Sequence, residues 1–193
     1  MTRAVAGANF HGASAFPSRS LEPAIMSEAP VTPALAGLTE EETRNVELAR
    51  EYMRISYTPG KAGREAVVHL CAPGNIFTVP TTFPKVHTLE EYAEDHGKLM
   101  KQVNDLRLVS FDVIFAKADQ VAIRYTAEGH HRGEPHGSIA PTGRKACWTA
   151  AALFRAKDGK LTAFIKEWNK LAMWEQLGWP TEECRSQQNA SNS

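Results

Sequence analysis

At 193 residues, with 42% apolar and 8% aromatic residues, the chain is long enough for one soluble domain with a real core plus tails. Lys plus Arg and Asp plus Glu balance at 22 each, so no long-range field favours nucleic acid, an anionic membrane or a polyanionic substrate, and a neutral or weakly acidic small molecule is the expected partner. Cys71, Cys147 and Cys184 are odd in number and widely spaced, with no CxxC or Cys/His pairing, which excludes a disulfide framework and a zinc site and points to reduced thiols in the cytoplasm. No apolar run approaches the roughly 18 residues a membrane span needs.

Residues 1–37 are rich in Ala, Gly, Pro and Ser without sustained apolar periodicity, and are expected to form a disordered leader. The ordered domain should run over 38–180 and a disordered tail over 181–193. Thr39 and Glu42 form a capping box, and Val46, Ala49, Tyr52, Met53 and Ser56 share one side of a helix reaching about Thr58, before Pro59-Gly60. A short helix over Gly63 to Cys71 and a strand over Asn75 to Val79 follow. Thr88 and Glu91 make a second capping box, opening a helix whose stripe of Leu89, Tyr92, Ala93, Leu99, Met100 and Val103 includes His96. Such a histidine is either a satisfied core residue or a proton carrier, and the pattern alone favours the first.

From Leu106 the period changes from helical to extended. Leu106 to Lys117, Gln120 to Arg132, Lys145 to Ala156 and Lys160 to Asn169 read as four long strands, with Ala118-Asp119 and Asp158-Gly159 as hairpin turns. A terminal helix over Lys170 to Leu177 closes at Gly178. Helices followed by a meander define an α+β fold: a curved antiparallel sheet with the N-terminal helices packed on its concave face, enclosing a cone-shaped cavity suited to a small ligand. Val109, Ala151 and Leu153 lie on the other face, where pairing into a homodimer would cover them.

Several motifs carry a family resemblance: Gly129-His130-His131-Arg132-Gly133, Pro141-Thr142-Gly143-Arg144, Phe154-Arg155 with Asp158-Gly159-Lys160, Trp168-Asn169-Lys170-Leu171 and Gln176-Leu177-Gly178, together with Asn104-Asp105-Leu106. In order and spacing, the segment from Val46 to Trp179 resembles the SnoaL-like polyketide cyclases, a branch of the superfamily that holds ketosteroid isomerase, scytalone dehydratase and nuclear transport factor 2. The resemblance implies enolisation of a polyketide-like substrate by a general base, with no metal or cofactor. It also implies a catalytic Asp where this chain has Asn169, and an amide cannot serve as a base at neutral pH, although it can donate to an oxyanion.

If Asn169 faces the cone, period-two alternation puts Glu167 and Ile165 on the same face, unless a bulge turns Glu167 to solvent. Ile123, Tyr125, Ala127, Gly129 and His131 alternate likewise, and His131 matches the family's usual histidine. The leading expectation is therefore a His131 and Glu167 proton-carrying pair with Asn169 as donor or orienter, and His96 as a further catalytic candidate. Tyr52, Tyr57, Phe77, Tyr125 and Trp148 are expected to line the pocket or, equally, to be core. The alternatives are a ligand-binding protein of the same fold that has lost its base, and a pure interaction module.

Overall fold

The structure, a computed structural model, describes residues 37–78, 82–83 and 85–191. The leader expected over 1–37 lies, apart from Gly37, outside the described residues, as does Val79 at the end of the expected first strand. In chain order the elements are α1 (Glu40–Ser56), α2 (Arg64–Val67) continued by a 3-10 turn (Val68–Leu70), β1 (Cys71–Thr78), α3 (Leu89–Gln102), β2 (Arg107–Lys117), β3 (Gln120–His130), β4 (Lys145–Lys157), β5 (Lys160–Trp168), α4 (Lys170–Leu177) and α5 (Thr181–Ser191). The expected tail beyond 181 is thus helical over α5, and the side chain of Cys184 is fully buried there. Its apolar body supplies the anchor that composition alone did not reveal.

Both predicted capping boxes are made. The Thr39 hydroxyl accepts from Glu42 N–H at 3.1 Å while the Glu42 carboxylate accepts from Thr39 N–H at 2.9 Å, and Thr88 and Glu91 repeat the exchange at α3. Glu42 does more than cap. Its second oxygen accepts from Ala118 N–H at 3.0 Å, and Asn45 donates to the Ala118 carbonyl at 3.1 Å, so the start of α1 is bonded to the β2–β3 turn. Those backbone donors, Thr39 first and then Ala118, hold the Glu42 carboxyl down at about 2.

The sheet order is β1-β5-β4-β3-β2. The meander from β2 to β5 is antiparallel throughout, but β1 joins the β5 edge in parallel, so the sheet is mixed rather than wholly antiparallel. A register shift in the β4–β5 pair pairs Arg155 with Ala163 and Ala156 with Leu161, inserting an extra residue early in β5. Curved in this way and covered by α1 and α3, the sheet encloses a core in which Tyr52, Tyr92, Phe77, Phe154 and Phe164 pack ring against ring.

Among the described residues nothing covers the opposite face. Phe115 pairs with Ala122, Ala122 with Leu153, and Leu153 with Ile165, forming an apolar row across four strands in which Phe115 is 64% exposed.

Candidate active site

The bulge in β5 decides which side chains reach the interior. Leu161 is buried before it and Phe164 and Lys166 are buried after it, while Ile165 and Glu167 face outward with the exposed row. Strand β5 ends at Trp168, and Asn169 (φ −92°, ψ 85°) is the N-cap of α4, its side-chain oxygen accepting from Ala172 N–H at 2.9 Å. Counting inward parity back from Asn169 therefore inverted the strand: Lys166 faces inward, not Glu167. The amide of Asn169 is exposed and engaged in a cap.

His131 keeps the expected inward parity of β3 and is fully buried, yet its ring is wholly engaged. Nδ1 accepts from Thr142 N–H at 3.2 Å and from Trp179 Nε1–H at 3.0 Å, which leaves Nε2–H to donate to the Glu134 carbonyl at 3.0 Å. Glu167 lies on the other side of the sheet, so the structure does not bring this pair together. His131 instead fixes the Trp179 indole, whose far face stacks on His136 at 3.9 Å between ring centres.

Within the cone is a cavity of about 480 Å³, lined by side chains of α3, β4, β5 and α4 and by Thr82, Phe83, Lys85, His136 and Trp179. Four tryptophans, Trp148, Trp168, Trp174 and Trp179, give it broad apolar walls. Trp168 donates its indole N–H to the Thr82 hydroxyl at 2.6 Å, and Lys170 donates to the Thr82 carbonyl at 3.0 Å, tying β5 and α4 to that wall.

Three polar groups in this lining stand out. Lys166 is 1% exposed and no carboxylate pairs with it among the described residues. Its Nζ reaches the hydroxyls of Tyr57 and Tyr92 at 3.3 and 3.4 Å and sits 4.1 Å from the centre of the Trp168 ring. Burial, with the nearby positive charge of Lys170 as a smaller cause, pushes its amine down from 10.5 to about 7.

His96 donates from Nδ1 to the Ser56 carbonyl at 2.7 Å, and its Nε2 has no hydrogen-bond partner among the described residues. Burial first, then the charge on Lys166, lowers the imidazole to about 3, so Nε2 presents a lone pair. The indole N–H of Trp148 is likewise buried and without a partner among the described residues. A buried polar atom without a partner is costly, and in a cavity it marks where a ligand's own polar atoms would fit.

Tyrosines connect these groups. The Tyr57 and Tyr125 hydroxyls are 2.6 Å apart, Tyr92 donates to Tyr57 at 3.4 Å, and the His96 ring lies against Tyr57 and Tyr92 with centre separations of 4.2 and 5.3 Å. Burial raises all three phenols well above their ordinary value, keeping them protonated as donors. Of the aromatics expected at the pocket, Trp148 lines it, Tyr57 accepts from Lys166, and Tyr125 bonds Tyr57 in turn. Tyr52, which donates to the Leu89 carbonyl at 2.6 Å, and Phe77, packed on Tyr92, belong to the core and not to the lining. Lys166 and Trp168 escaped the sequence reading as lining residues; Trp174 and Trp179 were expected at the cone mouth or a subunit contact and do line the cavity, whereas His136, expected as an exposed loop residue, lines it too. Phe164, Lys166 and Trp168 at alternate positions were the available signal, since they form the more aromatic face of the strand.

A curved mixed sheet roofed by helices over an apolar cavity with a few convergent polar groups defines a cone-shaped α+β fold. The SnoaL-like polyketide cyclase pattern matches residues 49–177, more than half of the chain, and the chain belongs to that family. No curated protein shows significant similarity to it.

Among solved structures it is similar to a proposed SnoaL-like polyketide cyclase from Jannaschia sp. CCS1 (19% identity, 74% of this chain and 97% of that one, TM-score 0.62). It is also similar to IdmH, a proposed polyketide cyclase from Streptomyces antibioticus (23% identity, 72% and 99%, TM-score 0.56). A third is an NTF2-like protein from Anabaena variabilis ATCC 29413 (12% identity, 69% and 96%, TM-score 0.53). At these identities the likeness is one of fold.

Proposed function

We propose that the chain is a cyclase or isomerase that enolises a polyketide-derived carbonyl compound inside the cone, using its own side chains for acid–base work and no metal or cofactor. The observation that carries the reading is a pair of unpartnered polar atoms in a largely apolar cavity, a lone pair on His96 Nε2 and the Trp148 indole donor, with the Lys166 amine, bonded only to two tyrosine hydroxyls, in the same lining. A flat ligand between the indoles would place its carbonyl oxygen toward Lys166 and Trp148 and its acidic C–H toward His96.

Proton abstraction then creates positive charge on the imidazole and negative charge on the enolate oxygen together. Each offsets the cost of burying the other, so a weakly basic histidine suffices where an isolated imidazolium would not form. His131 is the positioning residue behind Trp179, and Asn169 holds α4 in place. We propose further that two copies pair through the row from Phe115 to Ile165, since a bare row of this kind in a monomer faces water. Phe115→Glu should then shift sedimentation toward the monomer.

The test of the reaction is hydrogen–deuterium exchange at the α-carbon of flat aromatic ketones and β-diketones, followed by NMR in heavy water. Wild type should accelerate exchange, and His96→Asn should lose about 100-fold of that acceleration. Tight binding with no exchange by wild type would favour the alternative, a ligand-binding protein of this fold without catalysis, a reading to which the engaged amide at position 169 already lends some weight.

A further inference from the structure

Lys166 is built differently from a lysine that serves only as a hydrogen-bond donor. A donor held permanently charged in a protein interior would be paired with a carboxylate, and among the described residues none pairs with this one. Its neighbours are instead a second ammonium, on Lys170, and the aromatic faces of Trp168, Tyr92 and Tyr57. Desolvation in an apolar pocket beside another cation is the arrangement that frees an amine lone pair for attack on a carbonyl carbon.

Resting on the enolisation reading above, we propose that Lys166 acts covalently, condensing with the ketone or aldehyde of the ligand to form an imine whose protonated form is the electron sink for α-proton removal. The steps balance without an oxidant or reductant. The Nζ lone pair forms the N–C bond as the carbonyl π pair moves to oxygen, and a proton passes from nitrogen to that oxygen, giving a carbinolamine. Tyr57 and Tyr92, whose hydroxyls flank Nζ, are placed to relay it.

Protonation of the carbinolamine hydroxyl and breakage of the C–O bond release water and leave an iminium cation. The Trp168 face, 4.1 Å from Nζ, stabilises that cation. His96 Nε2 then takes the α-proton, the C–H pair becomes a C=C bond, and the cation collapses to a neutral enamine, restoring the proton consumed in dehydration. Return of that proton from His96 to the same or a conjugated carbon regenerates the iminium, and addition of water to its C=N bond followed by C–N cleavage releases the carbonyl product and the free Lys166 amine. The ligand class follows: an apolar, flat ketone or aldehyde with at least one α-hydrogen, small enough for a cavity of about 480 Å³.

The test uses the full chain with naphthaldehyde as probe and cyanoborohydride to reduce any imine to a stable secondary amine, followed by intact-mass measurement and peptide mapping at neutral pH. One adduct should form, on Lys166, at least tenfold faster than on any other lysine. Lys166→Met, which keeps an apolar chain of similar length and so protects the fold, should abolish it. Tyr57→Phe should slow it about tenfold without altering background labelling of other lysines. Labelling spread over surface lysines with Lys166 unmodified would overturn the proposal. If wild type in that case still exchanged α-protons, the enolisation reading would stand with Lys166 as a simple donor; if exchange were also absent, both would fall.

Discussion

The two buried histidine neighbourhoods, around His131 at the end of β3 and around His96 on α3, make an instructive contrast. Around His131 every ring nitrogen is bonded, to Thr142, Trp179 and Glu134, and the ring stands behind the cavity wall. Around His96 one nitrogen is bonded to Ser56 and the other faces the interior without a partner among the described residues. Both are buried, and both lie on inward faces of their elements. Burial alone therefore does not separate the two; the completeness of their hydrogen bonding does, and it is the reason His96 rather than His131 is proposed as the base.

The contrast is most severely strained by His131→Ala. That variant leaves the Trp179 and Thr142 donors and the Glu134 carbonyl unmatched, and it should cost roughly 3 kcal/mol in urea denaturation. A loss under about 1 kcal/mol would mean that the ring is not the fastening described here.

Lys166→Met should act in the opposite direction, on the other neighbourhood. The folded-state amine at about 7 lies below the 10.5 of an exposed lysine, so between those values the unfolded chain binds more protons than the native one. Wild-type stability should accordingly climb with pH across that window relative to the variant. Below pH 7 the variant should be the more stable by on the order of 2 kcal/mol, after allowance for the tyrosine contacts that are lost. Parallel pH profiles for the two proteins would show that the amine is not desolvated.

His96→Asn should move stability by about 1 kcal/mol while lowering α-proton exchange far more, because the lost Ser56 bond is offset by removal of an unmatched nitrogen. Equal losses in both readouts would make His96 a second His131. Smallest of all, Glu167→Gln should change neither stability, beyond about 0.5 kcal/mol, nor exchange, since the carboxylate faces outward.

Much of this was legible beforehand. The capping boxes at Thr39 and Thr88, the Asp158-Gly159 turn and the alternation of β3 are local signals, and each sits where the sequence put it. What failed was parity in β5, and it failed for a physical reason. Asn169, from which the count runs, is not a strand residue but the N-cap of α4, and that switch from strand to cap is set by the following helix rather than by the strand's own alternation. One misplaced residue moved attention from Lys166 to Glu167. The strand beginning near Asn75 was legible, but its parallel pairing at the sheet edge was not, because its partner lies some ninety residues away in the chain. His96 and Trp148 were legible as candidates, whereas their unmatched nitrogens are visible only in three dimensions.

The paired glycines of the Gly129 to Gly133 segment set a dimension. A Cβ on Gly133 would stand 1.9 Å from the Lys101 carbonyl oxygen, and one on Gly129 would stand 2.5 Å from a Val103 methyl. Both positions press the strand against the end of α3, the same end that presents Leu99 and Gln102 to the cavity. The two hydrogens thus work as a spacer gauge. A single added methyl would wedge helix and sheet apart and change the width of the cavity without altering any of the polar groups that line it.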